Sequence, residues 1–301
     1  MNKKSRIRPR DYLEYLLLRG VAGFVNGLPI AFSTWIARGV GDLSYFLLPV
    51  RRKVALGNLD IAFKNSRTLS QKKIIAREAF RNLATSLMEF FRIPSMLDKA
   101  SEHFEIEGTE HLDRAFEKGK GVIFVVSHLG SWEYLSFLFY LRNYSCTVVV
   151  REIKNHYIYK WIQKLRIKTR VHPIDRVHSA KEILRCLKKN QLVAILIDQW
   201  ASDEGIWVDF FGEKTSTTSI PARLAGRTGA ALILGCCIRT TPGHFKIIIK
   251  PEALIDKNDE RFEMKTTLQL NQLLENEIRQ YSEQWTWTHR RWKGIERYRK
   301  T

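Results

Sequence analysis

From about residue 100 onward, short apolar runs alternate with amphipathic segments. The apolar runs have the length of buried strands and cover 121–126, 146–150, 192–197, 230–238 and 245–249. Helical patterns lie near 131–141, 155–168, 178–190 and 219–228, and a closing helix is predicted over 260–288. Such alternation predicts an α/β fold, with a mostly parallel or mixed central sheet flanked by helices.

The first 50 residues follow a different pattern. Residues 20–37 form an uncharged stretch of 18 residues that contains Pro29, and residues 40–50 are apolar apart from Asp42. Eighteen residues is short for a membrane span, and no small-residue cleavage site follows a compact apolar core. We therefore expect a retained, helical, membrane-associated segment over 1–50 and a second domain over 51–301. A single span, a broken or interfacial helical pair, and a buried hairpin all fit this pattern.

The segment that follows this leader predicts an amphipathic helix. It covers 69–91, with Ser70 expected at its cap and Pro94 closing the segment. The helix would lie between the leader and the alternating part of the chain.

The charge of the chain is strongly positive and concentrated at its ends. The formal net charge is +19, of which residues 1–10 and residues 290–301 each contribute +5. This surplus predicts a polyanionic partner, either an anionic membrane surface or an acidic protein. Nucleic acid is not expected, because no recognition helix, zinc-finger spacing or ribonucleoprotein signature is present. The four cysteines lie in apolar stretches without metal-ligand spacing, which indicates buried thiols.

The first candidate for chemistry follows the apolar run 121–126. His128 lies at the predicted strand end, and four residues separate it from Glu133, in the first turn of a helix that Ser131 is expected to cap. A carboxylate there can reach back to one ring nitrogen and leave the other as a general base. A zinc site is not favoured, since no further His or Cys lies at a recognisable spacing.

Two more predicted strand ends carry charged residues. Asp198-Gln199 follows the run 192–197, and Arg151 follows 146–150, with Asn155 beyond it. Because ligands of such sheets bind beyond the carboxyl ends of strands, we expect a base, a carboxylate and a guanidinium in one cleft. The segment 285–292 mixes tryptophans with cations, which suits either a membrane interface or docking on the protein's own surface.

Together these motifs resemble the late acyltransferases of lipid A biosynthesis, the lauroyl and myristoyl transferase family, within the glycerolipid acyltransferase superfamily. The resemblance covers nearly the whole chain and includes Asn58-Leu59, Ala62-Phe63, the HX4E motif His128 to Glu133, Arg151, Asn155, Asp198-Gln199, Phe210-Phe211-Gly212, Thr217 and Thr228-Gly229-Ala230. Members usually have Gly where Thr169 and Ile220 stand. The superfamily's glycerol-phosphate branch usually has Asp where Glu133 stands, which favours the lipid A branch.

The resemblance implies transfer of a fatty acyl chain from acyl carrier protein, less often from coenzyme A, to a hydroxyl of a membrane-embedded lipid A precursor, without a bound cofactor or metal. It implies that His128 is the base and that Glu133 holds its ring. Backbone N–H groups near Gly130, or Arg151, are candidates to stabilise the oxyanion. The implied substrate-binding residues are Arg151, Asn155, Asp198, Gln199, Phe210, Phe211, Thr217 and Asn58. The implied location is the inner membrane, with the catalytic domain facing the cytoplasm.

Two other functions fit the same residues. One is acylation of a different membrane lipid, such as a lysophospholipid, an aminolipid or a phosphoinositide mannoside. The other is a non-catalytic protein that binds anionic lipid through its basic surface.

Overall fold

The computed structural model describes residues 8–175 and 179–298. Part of the predicted basic ends, namely Lys3, Lys4, Arg6, Arg299 and Lys300, therefore lies outside the described residues. The strands are β1 Phe104–Glu107, β2 Val122–Val126, β3 Cys146–Val150, β4 Val171–Asp175, β5 Leu192–Leu196, β6 Ile206–Phe210, β7 Glu213–Thr217, β8 Ala231–Thr241 and β9 His244–Ile249.

The helices surround the sheet and precede it in the chain. They are α1 Pro9–Gly27, α2 Ile30–Leu47, α3 Pro49–Phe63, α4 Leu69–Phe91, α5 Ile93–Met96, α6 Ala100–His103, α7 Thr109–Glu117, α8 Ser136–Leu141, α9 His156–Lys168, α10 Ser179–Lys188, α11 Ile220–Thr228, α12 Phe262–Gln280 and α13 Ile295–Tyr298. A 3₁₀ turn at Trp132–Leu135 leads into α8.

The central sheet has seven strands in the order β1-β9-β8-β2-β5-β3-β4. Neighbouring strands are parallel except for β8 and β9, so the predicted α/β fold with a mixed, helix-flanked sheet is confirmed. β2 is buried along its whole length, as its continuous apolar run predicts for a strand covered on both faces. β5 lies between β2 and β3, so the three strand ends singled out in the sequence are adjacent.

Four strands, β1, β4, β6 and β7, were not predicted. β1 reads Phe-Glu-Ile-Glu, and β4 contains Pro173 and lies at the edge of the sheet, so neither has an apolar run. β6 and β7 pair only with each other, as an antiparallel hairpin. Their place in the fold is decided by packing rather than by local pattern.

The N-terminal leader forms two helices broken at Leu28-Pro29, which matches the expected broken pair rather than one clean span. In the described part of the chain, no helix combines the length and the apolar content needed to cross a bilayer. α2 packs on α4, where Asp42 accepts hydrogen bonds from Arg77 at 2.6 Å and from Arg81 at 2.7 Å. The membrane association of this segment and the boundary at residue 50 stay predictions.

The start of α4 differs by two residues from the predicted cap. Thr68, not Ser70, caps the helix: its Oγ1 accepts from the Gln71 N–H at 3.3 Å, and Gln71 Oε1 accepts from the Thr68 N–H at 2.8 Å. This reciprocal pair is a capping box, which satisfies two backbone donors at once. Ser70 is already the second residue of the helix.

The predicted closing helix 260–288 is too long at its C-terminal end. α12 stops at Gln280, and the chain from Ser282 to Trp292, here called the C-terminal strap, crosses the protein in a largely irregular conformation. Trp285, Trp287, Arg291 and Trp292 are all buried in the protein's own interior. Of the two interpretations of this segment, docking on the protein is therefore confirmed, and membrane anchoring by these four side chains is wrong.

Candidate functional site

A histidine and an aspartate meet where β2 and β5 end. The parallel register pairs Val126 with Leu196, so the residues two positions further on, His128 and Asp198, lie side by side. The imidazole Nδ1 lies 2.9 Å from Asp198 Oδ1, and the His128 backbone N–H donates to Asp198 Oδ2 at 2.8 Å. A carboxylate against Nδ1 places the proton on that nitrogen and leaves the Nε2 lone pair available.

Burial and charge act in opposite directions on this pair. Burial lowers the pKa of His128, but the Asp198 carboxylate outweighs it through its charge and hydrogen bond, and Glu133 adds a smaller contribution, so the net shift is upward. Burial raises the pKa of Asp198, whereas His128 and the other donors to the carboxylate lower it to about 2. Asp198 is therefore ionised at neutral pH and stabilises the imidazolium that a general base becomes.

Glu133 does not hold the imidazole as predicted. Its carboxylate faces Arg166 of α9, which donates from Nε at 3.2 Å and from a terminal nitrogen at 2.5 Å. This bidentate geometry fixes the carboxylate away from Nδ1, which Asp198 already occupies. Spacing along the chain could not reveal this, because Arg166 and Asp198 are brought to the site by other elements. Glu133 still lies beside the histidine, in the wall of the same pocket.

The loop after β2 is held by a buried polar cluster. Arg239 of β8 donates to both oxygens of Glu89 at 2.6 Å and to Ser131 Oγ at 2.9 Å. Ser131 Oγ donates to Glu89 in turn, so Ser131 does not cap the following turn as predicted. At Gly130, φ is +63°, and a Cβ would lie 2.0 Å from the Cys237 carbonyl oxygen, so only glycine fits there. The loop that carries His128 is thus rigidly positioned.

The two backbone donors nearest to the predicted oxyanion site already have partners. The Gly130 N–H donates to the Gln284 carbonyl at 2.9 Å, and the Ser131 N–H donates to the Cys237 carbonyl at 2.8 Å. Neither is free to receive an oxyanion, so the Gly130 and Ser131 N–H groups are excluded from the predicted donors. Arg151, the other candidate, is exposed and lines the same pocket as His128.

That pocket has a volume of about 280 Å³ and lies against β2, β3 and β5, under α8 and α9. Its polar and charged side chains are His128, Glu133, Ser136, Arg151, Gln163 and Arg166, and its apolar lining includes Val126, Leu135, Phe139, Cys146, Val148, Val150, Val171, Ala194 and Leu196. From Val150 at the carboxyl end of β3 to Cys146 at its amino end, the pocket wall extends roughly 13 Å, at ~3.3 Å per residue. His128 therefore lies at one end of an elongated apolar space.

Gln199 lies beside the imidazole of His128. Its side chain is exposed, and its Nε2 lies 3.4 Å from His128 Nε2. Its backbone carbonyl accepts from the buried Arg291 at 3.0 Å. Gln199 and Arg151 are thus the residues of the predicted substrate-binding set that lie exposed beside the base.

The Phe210-Phe211-Gly212 motif is a hairpin turn that braces the strap. Phe211 and Gly212 have φ of +56° and +72° and connect β6 to β7, as a two-residue turn requires. Phe210 and Phe211 are buried and pack against the strap tryptophans, Phe210 on Trp292 at 5.6 Å between ring centroids. Neither is among the described residues that line the pocket beside His128.

Thr217 and Asn58 brace the same strap. Thr217 Oγ1 accepts from Arg291 at 2.6 Å, and Asn58 Nδ2 donates to the carbonyls of Trp287 at 2.7 Å and His289 at 2.6 Å. Both side chains are buried. The geometry gives them a bracing role away from the pocket.

Asn155 connects two helices. Its Oδ1 accepts from the Tyr157 and Ile158 N–H groups and so caps α9, while its Nδ2 donates to the Asp11 carbonyl at 2.8 Å and to Glu14 at 3.1 Å. The side chain is buried with both ends in use. Asn155 thus orients α9, which carries Arg166, against α1.

Sequence reasoning missed two residues of the site. Arg166 lies within a predicted helix among other cations, with nothing local to distinguish it. Trp285, whose indole Nε1 donates to Asp198 Oδ2 at 2.9 Å, lies 87 residues from its partner. The mixture of tryptophan and arginine at 285–292 marked the segment but not this contact.

A mixed, mostly parallel sheet thus places a histidine–carboxylate pair beside an apolar pocket, the arrangement of an enzyme site in which a base lies next to a space for an apolar group. The sequence model of the family described as bacterial lipid A biosynthesis acyltransferase matches residues 1–294. The chain belongs to this family, and it is therefore an enzyme of the class that transfers acyl groups.

Two lipid A relatives match most of the chain, and a third relative matches half of it. The lipid A biosynthesis palmitoleoyltransferase of Escherichia coli is 27% identical over 294 residues, covering 95% of this chain and 93% of its own. The lipid A biosynthesis lauroyltransferase of the same organism is 23% identical, with the same two coverages. A phosphatidylinositol mannoside acyltransferase of Mycobacterium tuberculosis is 30% identical over 156 residues, half of this chain and 49% of its own. Among solved structures, a 1-acyl-sn-glycerophosphate acyltransferase of Thermotoga maritima aligns with a TM-score of 0.39 and 15% identity, covering 80% of this chain and 98% of that one.

Proposed function

We propose that the protein transfers a fatty acyl chain from the thioester of acyl carrier protein, or of coenzyme A, to a hydroxyl of a lipid A precursor. The observation that carries this proposal is the His128–Asp198 pair at one end of an elongated apolar pocket. The pair supplies a base for an alcohol, and the pocket suits a hydrocarbon chain. The family and its lipid A relatives support this acceptor.

The reaction follows from the state of the two ring nitrogens. Nδ1 keeps its proton against Asp198, so Nε2 takes the proton of the acceptor hydroxyl, and the alkoxide attacks the thioester carbonyl carbon. The tetrahedral intermediate expels the thiolate, which receives the proton from Nε2, so one C–O bond forms and one C–S bond breaks. Arg151 is the candidate that stabilises the oxyanion, because its guanidinium lines the pocket. No acyl-enzyme is needed.

In this proposal, the Glu133–Arg166 pair belongs to the part of the pocket wall that the substrate contacts. Both side chains are about one-fifth exposed and lie in the wall of the pocket beside His128. The bidentate contact holds α9 over the turn after β2 and keeps Arg166 oriented. Glu133 also favours the imidazolium by its charge, at longer range than Asp198.

The depth of the pocket gives a prediction about acyl chain length. Val148 lies midway along the β3 wall, so Val148→Phe should block the deep part near Cys146 and Val171 and leave the end near His128 open. We expect transfer of a long acyl chain to fall about tenfold, ~1.4 kcal/mol, while transfer of a short chain is retained. The measurement is kcat/KM for a series of acyl donors with wild type and variant. Equal loss for short and long chains would place the acyl chain elsewhere.

The proposed location is the membrane surface. α1 and α2 expose a set of apolar side chains, Tyr12, Leu13, Leu16, Leu17, Val21, Phe24, Phe32, Trp35, Val40, Leu43, Phe46 and Leu47. Arg10, Arg19 and Arg38 lie on the same helices. Apolar side chains together with cations suit the interface of an anionic bilayer, so we propose that these helices lie in the cytoplasmic leaflet of the inner membrane, where a lipid acceptor is within reach.

A vesicle sedimentation experiment tests this location. Leu17→Glu combined with Phe24→Glu should lower the fraction bound to phosphatidylglycerol-containing vesicles about tenfold, since two exposed apolar side chains become charged. Leu254→Glu combined with Ile220→Glu is the matched control, because these side chains are also exposed but lie outside α1 and α2. Equal losses in both double variants would contradict docking through α1 and α2.

The acyl carrier protein as donor is proposed from charge. The chain carries a net charge of +19, and an acidic carrier would be attracted to it. Initial rates with acyl carrier protein and with coenzyme A thioesters of one acyl chain, each at low and high salt, distinguish the donors. A faster, salt-sensitive rate with the carrier is expected.

The direct test of the proposed function supplies one acyl donor and several acceptors to the purified protein. Mass spectrometry should find one added acyl chain on a lipid A precursor. A phosphatidylinositol mannoside and a lysophospholipid are offered in parallel, since a mannoside-acylating relative matches half of the chain. Acylation of one of these, with none of the lipid A precursor, would mean that the protein transfers acyl groups but uses a different acceptor. No acylation of any lipid would favour a non-catalytic lipid-binding protein.

A further inference from the structure

The C-terminal strap contributes one hydrogen-bond donor to the His128–Asp198 pair. The Trp285 indole Nε1 donates to Asp198 Oδ2 at 2.9 Å, and the same oxygen accepts from the His128 backbone N–H at 2.8 Å. The other oxygen, Oδ1, faces the imidazole Nδ1 at 2.9 Å. One carboxylate oxygen is thus anchored by two N–H groups, and the other is left for the imidazole.

We propose that Trp285 is a positioning residue for acyl transfer, whose indole N–H fixes the Asp198 carboxylate and limits how strongly it holds the imidazolium. The consequence for turnover rests on the proposed function, but the effect on His128 does not. A hydrogen bond to the ionised carboxylate favours that form, so its removal makes Asp198 a stronger base. A more basic Asp198 raises the proton affinity of the neighbouring imidazole.

The position of Trp285 is determined by contacts on several sides. Its ring packs edge-on against Trp287 at 4.6 Å between centroids and against Phe210 at 5.8 Å, and its side chain is 1% exposed. The residues on either side are hydrogen-bonded to the loop after β2: the Gln284 carbonyl accepts from the Gly130 N–H at 2.9 Å, and the Thr286 N–H donates to the His128 carbonyl at 3.2 Å. The indole therefore cannot move away from Asp198 without displacing the loop that carries His128.

The charged groups around the pair come from three directions. His289 and Arg291 approach from the strap, Glu133 from the turn after β2, and Arg166 stands behind Glu133 on α9. Arg291 acts on Asp198 by charge, while its hydrogen bonds go to the Gln199 and Ser216 carbonyls and to Thr217 Oγ1. None of these contacts involves the indole of Trp285, so they persist when only its N–H is removed.

The test is a titration of His128 by NMR in the full-length protein without substrate. Its signal is assigned by its loss in His128→Gln. In Trp285→Phe, the pKa of His128 should rise by about 0.5–1 pH unit, the size expected from removing one donor to a charged group. Trp287→Phe is the matched control: Trp287 is also fully buried in the strap, but its indole donates to the Ser282 carbonyl at 2.7 Å. There the pKa should stay unchanged.

A second replacement removes the indole N–H with almost no change in side-chain packing. Trp285→benzothienylalanine has a sulfur in place of the N–H at nearly the same volume, so it should fold as wild type does and give the same upward pKa shift. In a plot of kcat against pH, the acid limb should move to higher pH by the same amount, with little change in KM for either substrate.

The outcomes separate the two proposals. An unmoved or lowered His128 pKa in both Trp285 variants, or an equal shift in Trp287→Phe, overturns the role of Trp285. A raised pKa in a protein that acylates no lipid supports that role and overturns the proposed reaction. Acyl transfer with an unmoved pKa overturns the role of Trp285 alone.

Discussion

Replacement of His128 by alanine should lower kcat/KM for acyl transfer about 10³-fold, because the acceptor hydroxyl then loses its general base. The imidazole Nε2 is the nitrogen at the end of the apolar pocket that can take up a proton, and the Gln199 amide beside it cannot accept one at neutral pH. The measurement is the initial rate of acyl transfer to the lipid acceptor, together with circular dichroism to verify folding.

The matched control for this variant is His172→Ala. His172 is an exposed histidine on the edge strand β4, away from the strand ends that form the site. Its removal should leave the rate within about twofold of wild type, since exposed substitutions away from a site change little. If His128→Ala kept more than a tenth of the wild-type rate, another group would be the base.

The second large effect is expected at Asp198. Asp198→Asn keeps the shape but removes the charge that faces Nδ1, so the imidazolium formed during proton transfer loses its stabilisation. We expect kcat to fall about 10³- to 10⁴-fold, the size of loss found when a histidine–aspartate pair loses its carboxylate charge. Because Asp198 raises the pKa of His128, its removal should also move the acid limb of the pH–rate profile to lower pH.

Glu133→Gln is the comparison that distinguishes the two carboxylates. The amide oxygen of the new side chain could still accept from Arg166, and Glu133 makes no hydrogen bond to His128, so the loss in kcat should stay below about tenfold. A larger loss for Glu133→Gln than for Asp198→Asn would mean that Glu133, not Asp198, orients the imidazole of His128. Equal losses would mean that both charges act on the imidazolium.

The apolar pattern was sufficient to predict the main strands of the sheet and the helices that flank it. The runs at 146–150 and 192–197 match β3 and β5 within one residue, because a strand covered on both faces needs an unbroken apolar run. β1 and β4 were missed because their sequences are polar or contain proline, and the helix predicted to residue 288 ended at Gln280. A local sequence pattern does not show that a helix ends where tertiary packing favours an irregular segment, as it does after Gln280.

The sequence alone determined that the protein is α/β, that His128 follows a buried strand and that the motifs resemble lipid A acyltransferases. Only the tertiary structure decided which carboxylate faces the imidazole. Glu133 is near His128 in the chain, but Asp198 is 70 residues away and becomes its neighbour because β5 pairs with β2. Strand order depends on the packing of the whole sheet and is not encoded in the spacing of any one motif. For the same reason, the sequence did not identify Arg166 and Trp285 as site residues, because they reach the site from α9 and from the C-terminal strap.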